Sequence, residues 1–140
     1  MTGSVVLGAA TLALFPTDPT LPLYDGQVAS AAGVVPAPPW LYVTMSLPSI
    51  SERSQARTGV LYMCRVRVLV YAGTAPGVRI VADKVQVEGL RPVAVGWLTT
   101  PLELENTRDP VEDLDVTITT TGKHPMYGVL EYLFTASPTA

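Results

Sequence analysis

GVLYMCRVRVLVY, at residues 59–71, is the stretch on which the fold turns. Successive side chains of a strand point to opposite faces, so Cys64, Val66, Val68 and Val70 share one side, and Met63, Arg65, Arg67, Leu69 and Tyr71 the other. The first set is apolar and mostly β-branched, which suits a buried pleated surface. The second carries two arginines, so a slip of one residue would exchange the buried and solvated sets, and the register is well specified. The pattern predicts a long strand over 59–71 with one dry face and one mixed face.

Downstream, TAPGVRIVADKVQVEGL at residues 74–90 changes to helical spacing: Val78, Val81, Ala82 and Val85 recur on one side and Arg79 precedes Asp83 by four residues. Thr74 can cap such a helix, Pro76 falls in its first turn, and Gly89 stands where helices often stop. One helix is expected across this stretch. Upstream, SISERSQART at residues 49–58 has no apolar periodicity and reads as an exposed hairpin loop. WLYVTMSL at residues 40–47 alternates Leu41, Val43, Met45 and Leu47 against Tyr42, Thr44 and Ser46, as a half-buried strand does.

Residues 15–39 are rich in Pro, Gly, Asp and Ala, and proline withholds the backbone donors that regular structure needs. Loops beyond about 15 residues are uncommon inside compact domains and are usually functional or linker-like. This connecting arm either reaches a neighbour or lies on its own domain. Residues 2–14 read as a short amphipathic helix, with Val5, Leu12 and Phe15 near one stripe. The apolar run within it, VVLGAATLALF at residues 5–15, has no basic residue before it, ends at Pro16 and is too short to span a bilayer. A buried or docked helix is expected there rather than an export signal.

Toward the other end, residues 93–108 alternate at Leu102 and Leu104, but Pro101 excludes an uninterrupted central strand, so an edge position or a bulge is expected. VEDLDVTITTT at residues 111–121 begins acidic and becomes β-branched, with Val116 and Ile118 on one face, which fits a strand or an extended arm. MYGVLEYLFTA at residues 126–136 sets Val129, Glu131 and Leu133 against Leu130, Tyr132 and Phe134 and should be the last strand. The economical architecture is α+β: an antiparallel sheet of about four strands, two helices packed on one face, and extended loops or arms. Residues 1–140 form a single domain in this reading, with 15–39 as the Pro-rich arm and 109–125 as an acidic and Thr-rich extension.

The composition is 48% apolar and 15% charged, against roughly 25% charged in ordinary soluble domains. So little charge leaves apolar surface exposed, as subunit interfaces do. A net charge of −3 and a pI near 5.0 argue against general nucleic-acid binding, since no basic run is available to displace phosphate counterions. The lone Cys64 permits no internal disulfide and reads as an inert core residue.

Catalytic and metal-binding patterns are missing. His124 follows Lys123 and precedes Pro125 without a second histidine or nearby cysteine to complete a zinc site. Gly73, Gly77 and Gly89 match neither the dinucleotide fingerprint nor the phosphate-binding loop. Asp109, Glu112, Asp113 and Asp115 lack the glycine and terminal glutamate of a calcium loop, so a solvated acidic loop is expected. A small-ligand or enzymatic pocket would have to gather His124, Asp109 and Arg108. No catalytic residue, metal or cofactor is therefore assigned. Arg65 and Arg67 stand out, about 7 Å apart on one strand face by strand geometry. On a monomer they face water; between subunits they could pair with Glu103, Glu105, Glu112 or Asp113 in bidentate geometry.

The chain resembles the tail-terminator, or tail-completion, proteins of long-tailed bacteriophages, particularly the short forms of actinobacterial phages. The resemblance rests on LPLYDGQV at residues 21–28, on VRVLVYAG at 66–73 running toward VRIVADKV at 78–85, and on LELENTRDPVEDLDVTITTTGKHPMYGVLEYLF at 102–134. None of these is a catalytic signature; their order and spacing carry the likeness. The acidic and Thr-rich stretch at 111–121 departs from the family by exceeding a simple hairpin, as an extra strand or a neighbour-embracing arm would. The resemblance implies a homo-oligomeric, hexameric ring at the head-proximal end of the tail. It implies contact with the tail tube protein and a head–tail connector protein, assembly in the host cytoplasm, and a place in the virion. DNA would pass through the ring without sequence-specific recognition, and no membrane is involved. Arg65 and Arg67 would lie between subunits or toward the lumen. A stopper or adaptor of the head–tail connector is the nearest alternative.

Overall fold

The computed structural model describes residues 3–16, 20–26, 35–46, 49–53 and 60–139. The long strand β4 (Val60–Ala72) organises the chain. One of its edges pairs with β2 (Trp40–Met45) and, further along, with β3 (Ser49–Arg53); the other pairs over eleven positions with β7 (Met126–Pro138). β1 (Leu23–Asp25) adds to β2 in parallel, and β5 (Trp97–Thr99) and β6 (Glu103–Glu112) follow one another along the free edge of β7. The sheet thus has seven strands in the order β1-β2-β4-β7-β5, with β3 and β6 off that path. The α+β class holds, but the sheet is larger than four strands and is mixed, because β1–β2 is parallel.

The alternation read in β4 decides the core. Cys64, Val66, Val68 and Val70 are all buried, and their cross-strand partners Phe134, Tyr132 and Leu130 on β7, and Val43 and Leu41 on β2, share their face. Over this face lie α1 (Gly3–Leu12), α2 (Ala75–Lys84) and the segment 85–102, which contribute Leu7, Val78, Val81, Val85, Val87, Ala94 and Leu102 to one core cluster. Burial of each valine or leucine among them is worth about 1.5–3 kcal/mol. Both helices therefore sit on one side of the sheet, as expected.

α2 starts where expected: the Thr74 hydroxyl accepts the Gly77 N–H at 3.1 Å, and Pro76 lies in the first turn. It ends earlier than Gly89. Val85 adopts an extended conformation, and Val85 and Val87 are buried while Gln86 is exposed. Positions i and i+2 lie roughly 200° apart on a helix, so burying both valines on one side requires extended backbone. Gly89 instead takes a positive φ of 80° in a turn whose N–H donates to the Leu102 carbonyl. Mid-strand Gly128 has a packing reason: a Cβ there would stand 3.0 Å from the Val78 Cγ1 of α2.

Four further expectations are corrected. Residues 49–53 are strand β3, not loop, since the overhanging end of β4 offers backbone partners to a segment with no apolar period; residues 54–58 of the expected loop are outside the described residues. The buried stripe of α1 is Leu7 and Thr11, continued by Phe15 in the turn after the helix, while Val5 is 75% exposed; the Thr11 hydroxyl is satisfied by the Leu7 carbonyl at 2.7 Å. The arm at 15–39 contains β1, with residues 17–19 and 27–34 outside the described part. Beyond Glu112 the acidic stretch forms no strand. It closes as a loop in which the Asp113 N–H donates to the Pro125 carbonyl and the Ile118 N–H to that of Lys123. Thr119 and Val35 exchange two hydrogen bonds, tying this loop to the segment before β2.

Pro101 does interrupt the edge, as expected. β5 and β6 flank it, and β6 carries two bulges, between Leu104 and Asn106 and between Arg108 and Val111. Bulges and charge on an exposed edge discourage pairing with stray strands.

Candidate functional site

Arg65 and Arg67 project from the sheet face opposite the helices, where β4 runs beside β2 and β7. Arg65 Nη1 lies 2.6 Å from Glu105 Oε2, and Arg67 Nε lies 3.5 Å from Glu131 Oε1. Two devices produce these pairs. Glu131 is the direct cross-strand partner of Arg67, and Glu105 is the extra residue of the first β6 bulge, reaching over β7 to Arg65. The Arg65 backbone is held by Ser46, whose N–H donates to the Arg65 carbonyl at 3.0 Å and whose Oγ accepts the Arg65 N–H at 3.2 Å. With Thr44, these side chains line a shallow groove of about 340 Å³.

The pairs are part-exposed, the side chains of Arg65 and Glu105 retaining 58% and 34% of their accessible area. Such exposed pairs are worth about 0.2–1 kcal/mol. Their consequence is electrostatic: two cations and two anions alternate across the strip, leaving it close to neutral.

The acids offered from sequence are partners across a subunit contact; within the chain, Glu105 is the one of them that meets Arg65 or Arg67. Glu103 and Glu112 are exposed on β6 and form no ion pair with Arg65 or Arg67, and Asp113 accepts the Tyr71 hydroxyl at 2.7 Å. Sequence reasoning missed Glu131. It was visible on the mixed face of the last strand, but only the β4–β7 register puts it opposite Arg67.

The same sheet face carries an aromatic row at its other end. Trp40 stacks on Tyr71 with ring centroids 3.8 Å apart, Tyr71 stacks on Tyr127 at 5.5 Å, and Tyr24 meets Trp40 edge-on. Burial, then the hydrogen bond to Asp113 and its charge, hold the Tyr71 phenol well above its usual range. Burial likewise pushes the Cys64 thiol up to about 11.

His124 uses Nδ1 to donate to the Val116 carbonyl at 2.7 Å, fixing its loop. Arg108 and Asp109 line a groove of about 350 Å³ between α2 and β6 with Arg79 and Asp83, and His124 is not part of that lining. Among the described residues, no three His, Cys, Asp or Glu side chains are grouped to hold a metal ion, and no helix is long and apolar enough to cross a membrane.

No protein-family model matches the chain, and no curated protein matches it.

Proposed function

We propose that this chain is a structural subunit of a long-tailed bacteriophage, a tail terminator. It forms a ring, hexameric by the family resemblance, that caps the head-proximal end of the tail tube, ends tube polymerisation and presents the surface that joins the head connector. The pattern of residues at 21–28, 66–85 and 102–134 supports this reading. The observation that carries it furthest is apolar surface left in water. Val5 is 75% exposed, Val93 83%, Val95 93% and Leu98 65%, on a chain with little charge with which to solvate itself. Exposed apolar side chains grouped in the way of Val93, Val95 and Leu98 suit contact with another protein.

The Arg65–Glu105 and Arg67–Glu131 strip suits a ring in either of two positions. Between subunits, the arginines keep unused donors for a neighbour's carboxylates; at the lumen, a near-neutral strip lets DNA pass without gripping it. Particles assembled without the chain test the function. Tails of uncontrolled length are expected in electron micrographs. Tails of normal length with leaking heads would instead assign the chain to the stopper or adaptor of the connector.

A further inference from the structure

We infer that the ring is built by a head-to-tail contact in which an apolar knob at the β5 edge of one copy enters the apolar groove between α1 and β2 of the next. This inference rests on the ring proposed above and specifies its joint.

The knob is the turn before β5. Pro92 and Ala94 are buried and anchor it, while Val93 and Val95 between and beyond them point into solvent, and Leu98 projects from β5. It is a fixed shape. The Trp97 N–H donates to the Ala94 carbonyl at 3.2 Å, the Thr139 N–H to the Gly96 carbonyl at 2.9 Å, and the Thr99 hydroxyl to the Pro92 carbonyl. Gly96 supplies the positive φ of 83° that the turn needs.

The groove lies at the other edge. Val5, Gly8, Ala9 and Leu12 of α1 face Val43 and Met45 of β2 across a cleft of about 410 Å³, with Asp25 of β1 at its side. Gly8 opens it: a Cβ there would already be 3.4 Å from the Met45 Cε. The chemistry of the two surfaces matches. Valine and leucine side chains meet an apolar cleft, and exposed Arg91, two residues before Val93, complements exposed Asp25.

The knob cannot reach its own groove, and the match of the two surfaces in apolarity and charge favours a second copy as the occupant. Three strand spacings separate β2 from β5, about 14 Å at roughly 4.8 Å each, and hydrogen bonds hold the knob in its turn. Complementary patches on opposite edges of one subunit give a heterologous contact, which closes into a ring when the rotation per subunit allows.

The test uses the full chain, with tail-tube subunits present or absent, and reads mass by light scattering after size exclusion. Val95→Asp disables the knob and Ala9→Arg blocks the groove; both positions are exposed, so circular dichroism and melting should match the parent chain. Each variant alone is expected to stay monomeric, with association about 100-fold weaker, since an unpaired charge enters an apolar site. Mixed together they should give a dimer and nothing larger, because one live knob and one live groove remain. Asp25→Arg should weaken assembly, and adding Arg91→Asp in the same chain should restore it. Rings that persist in Val95→Asp, or that form in the mixture, overturn this joint while leaving the ring itself intact. A parent chain that stays monomeric under every condition overturns the ring as well.

Discussion

At the scale of single residues, the buried ionisable groups make the fold sensitive to alkali. The Cys64 thiol is raised from an ordinary value of 9.0 to about 11 because the strand face around it is dry. The folded chain keeps this thiol neutral, whereas the unfolded chain ionises it from about pH 9 upward. Stability is thus complete below pH 9 and lost as the pH rises toward 11, by at most about 3 kcal/mol. Tyr71 and Tyr132 are raised in the same direction, chiefly by burial, and deepen the loss at higher pH. Guanidinium midpoints at pH 8 and pH 10.5 should show the drop, and Cys64→Ala should reduce it; an unchanged midpoint would refute the dry site. Replacing Tyr71 with Phe removes a donor but leaves Asp113 partly solvated, so about 1 kcal/mol is the expected cost in the same titration. The sequence disclosed the burial of Cys64 through the strand period. It could not disclose Asp113 as the partner of Tyr71, because the two are 42 residues apart and meet only when the β6–β7 turn closes.

Among the elements, the contact of α2 with the sheet is the most sensitive to change. Gly128→Ala would press a methyl group against Val78 Cγ1 at 3.0 Å and the Arg108 carbonyl at 3.4 Å. A cost of about 1–3 kcal/mol is expected, seen as a lower melting temperature. Thr74→Ala removes the helix cap and should cost about 1 kcal/mol. β4, β7 and the start of α2 were legible in the sequence because periodicity and capping are local signals. β3 and β1 were not: each is held by a partner's backbone rather than by its own apolar pattern. The end of α2 was misplaced for a related reason, since valines at 78, 81 and 85 satisfy a helical period, and only the burial of Val87 reveals the change to extended chain.

For the whole molecule, stability and assembly should separate. The exposed Arg65–Glu105 and Arg67–Glu131 pairs add little to the fold, so Arg65→Ala and Arg67→Ala should shift the unfolding midpoint by less than about 1 kcal/mol each. A loss of tail joining in such variants would then report on the surface and not on folding. Half of this strip was legible in advance: the strand period exposed the two arginines, whereas Glu105 was offered only as an acid of a neighbouring subunit and reaches Arg65 through the β6 bulge, and Glu131 required the register. The proposed joint between copies was not legible, because the knob and the groove lie toward opposite edges of a sheet whose strand order no local pattern encodes. Electron microscopy of tail-tube subunits polymerised with the purified chain decides the matter. Rings seated on one end of tubes that have stopped growing are expected; bare tubes that lengthen as they do without the chain would contradict the terminator role.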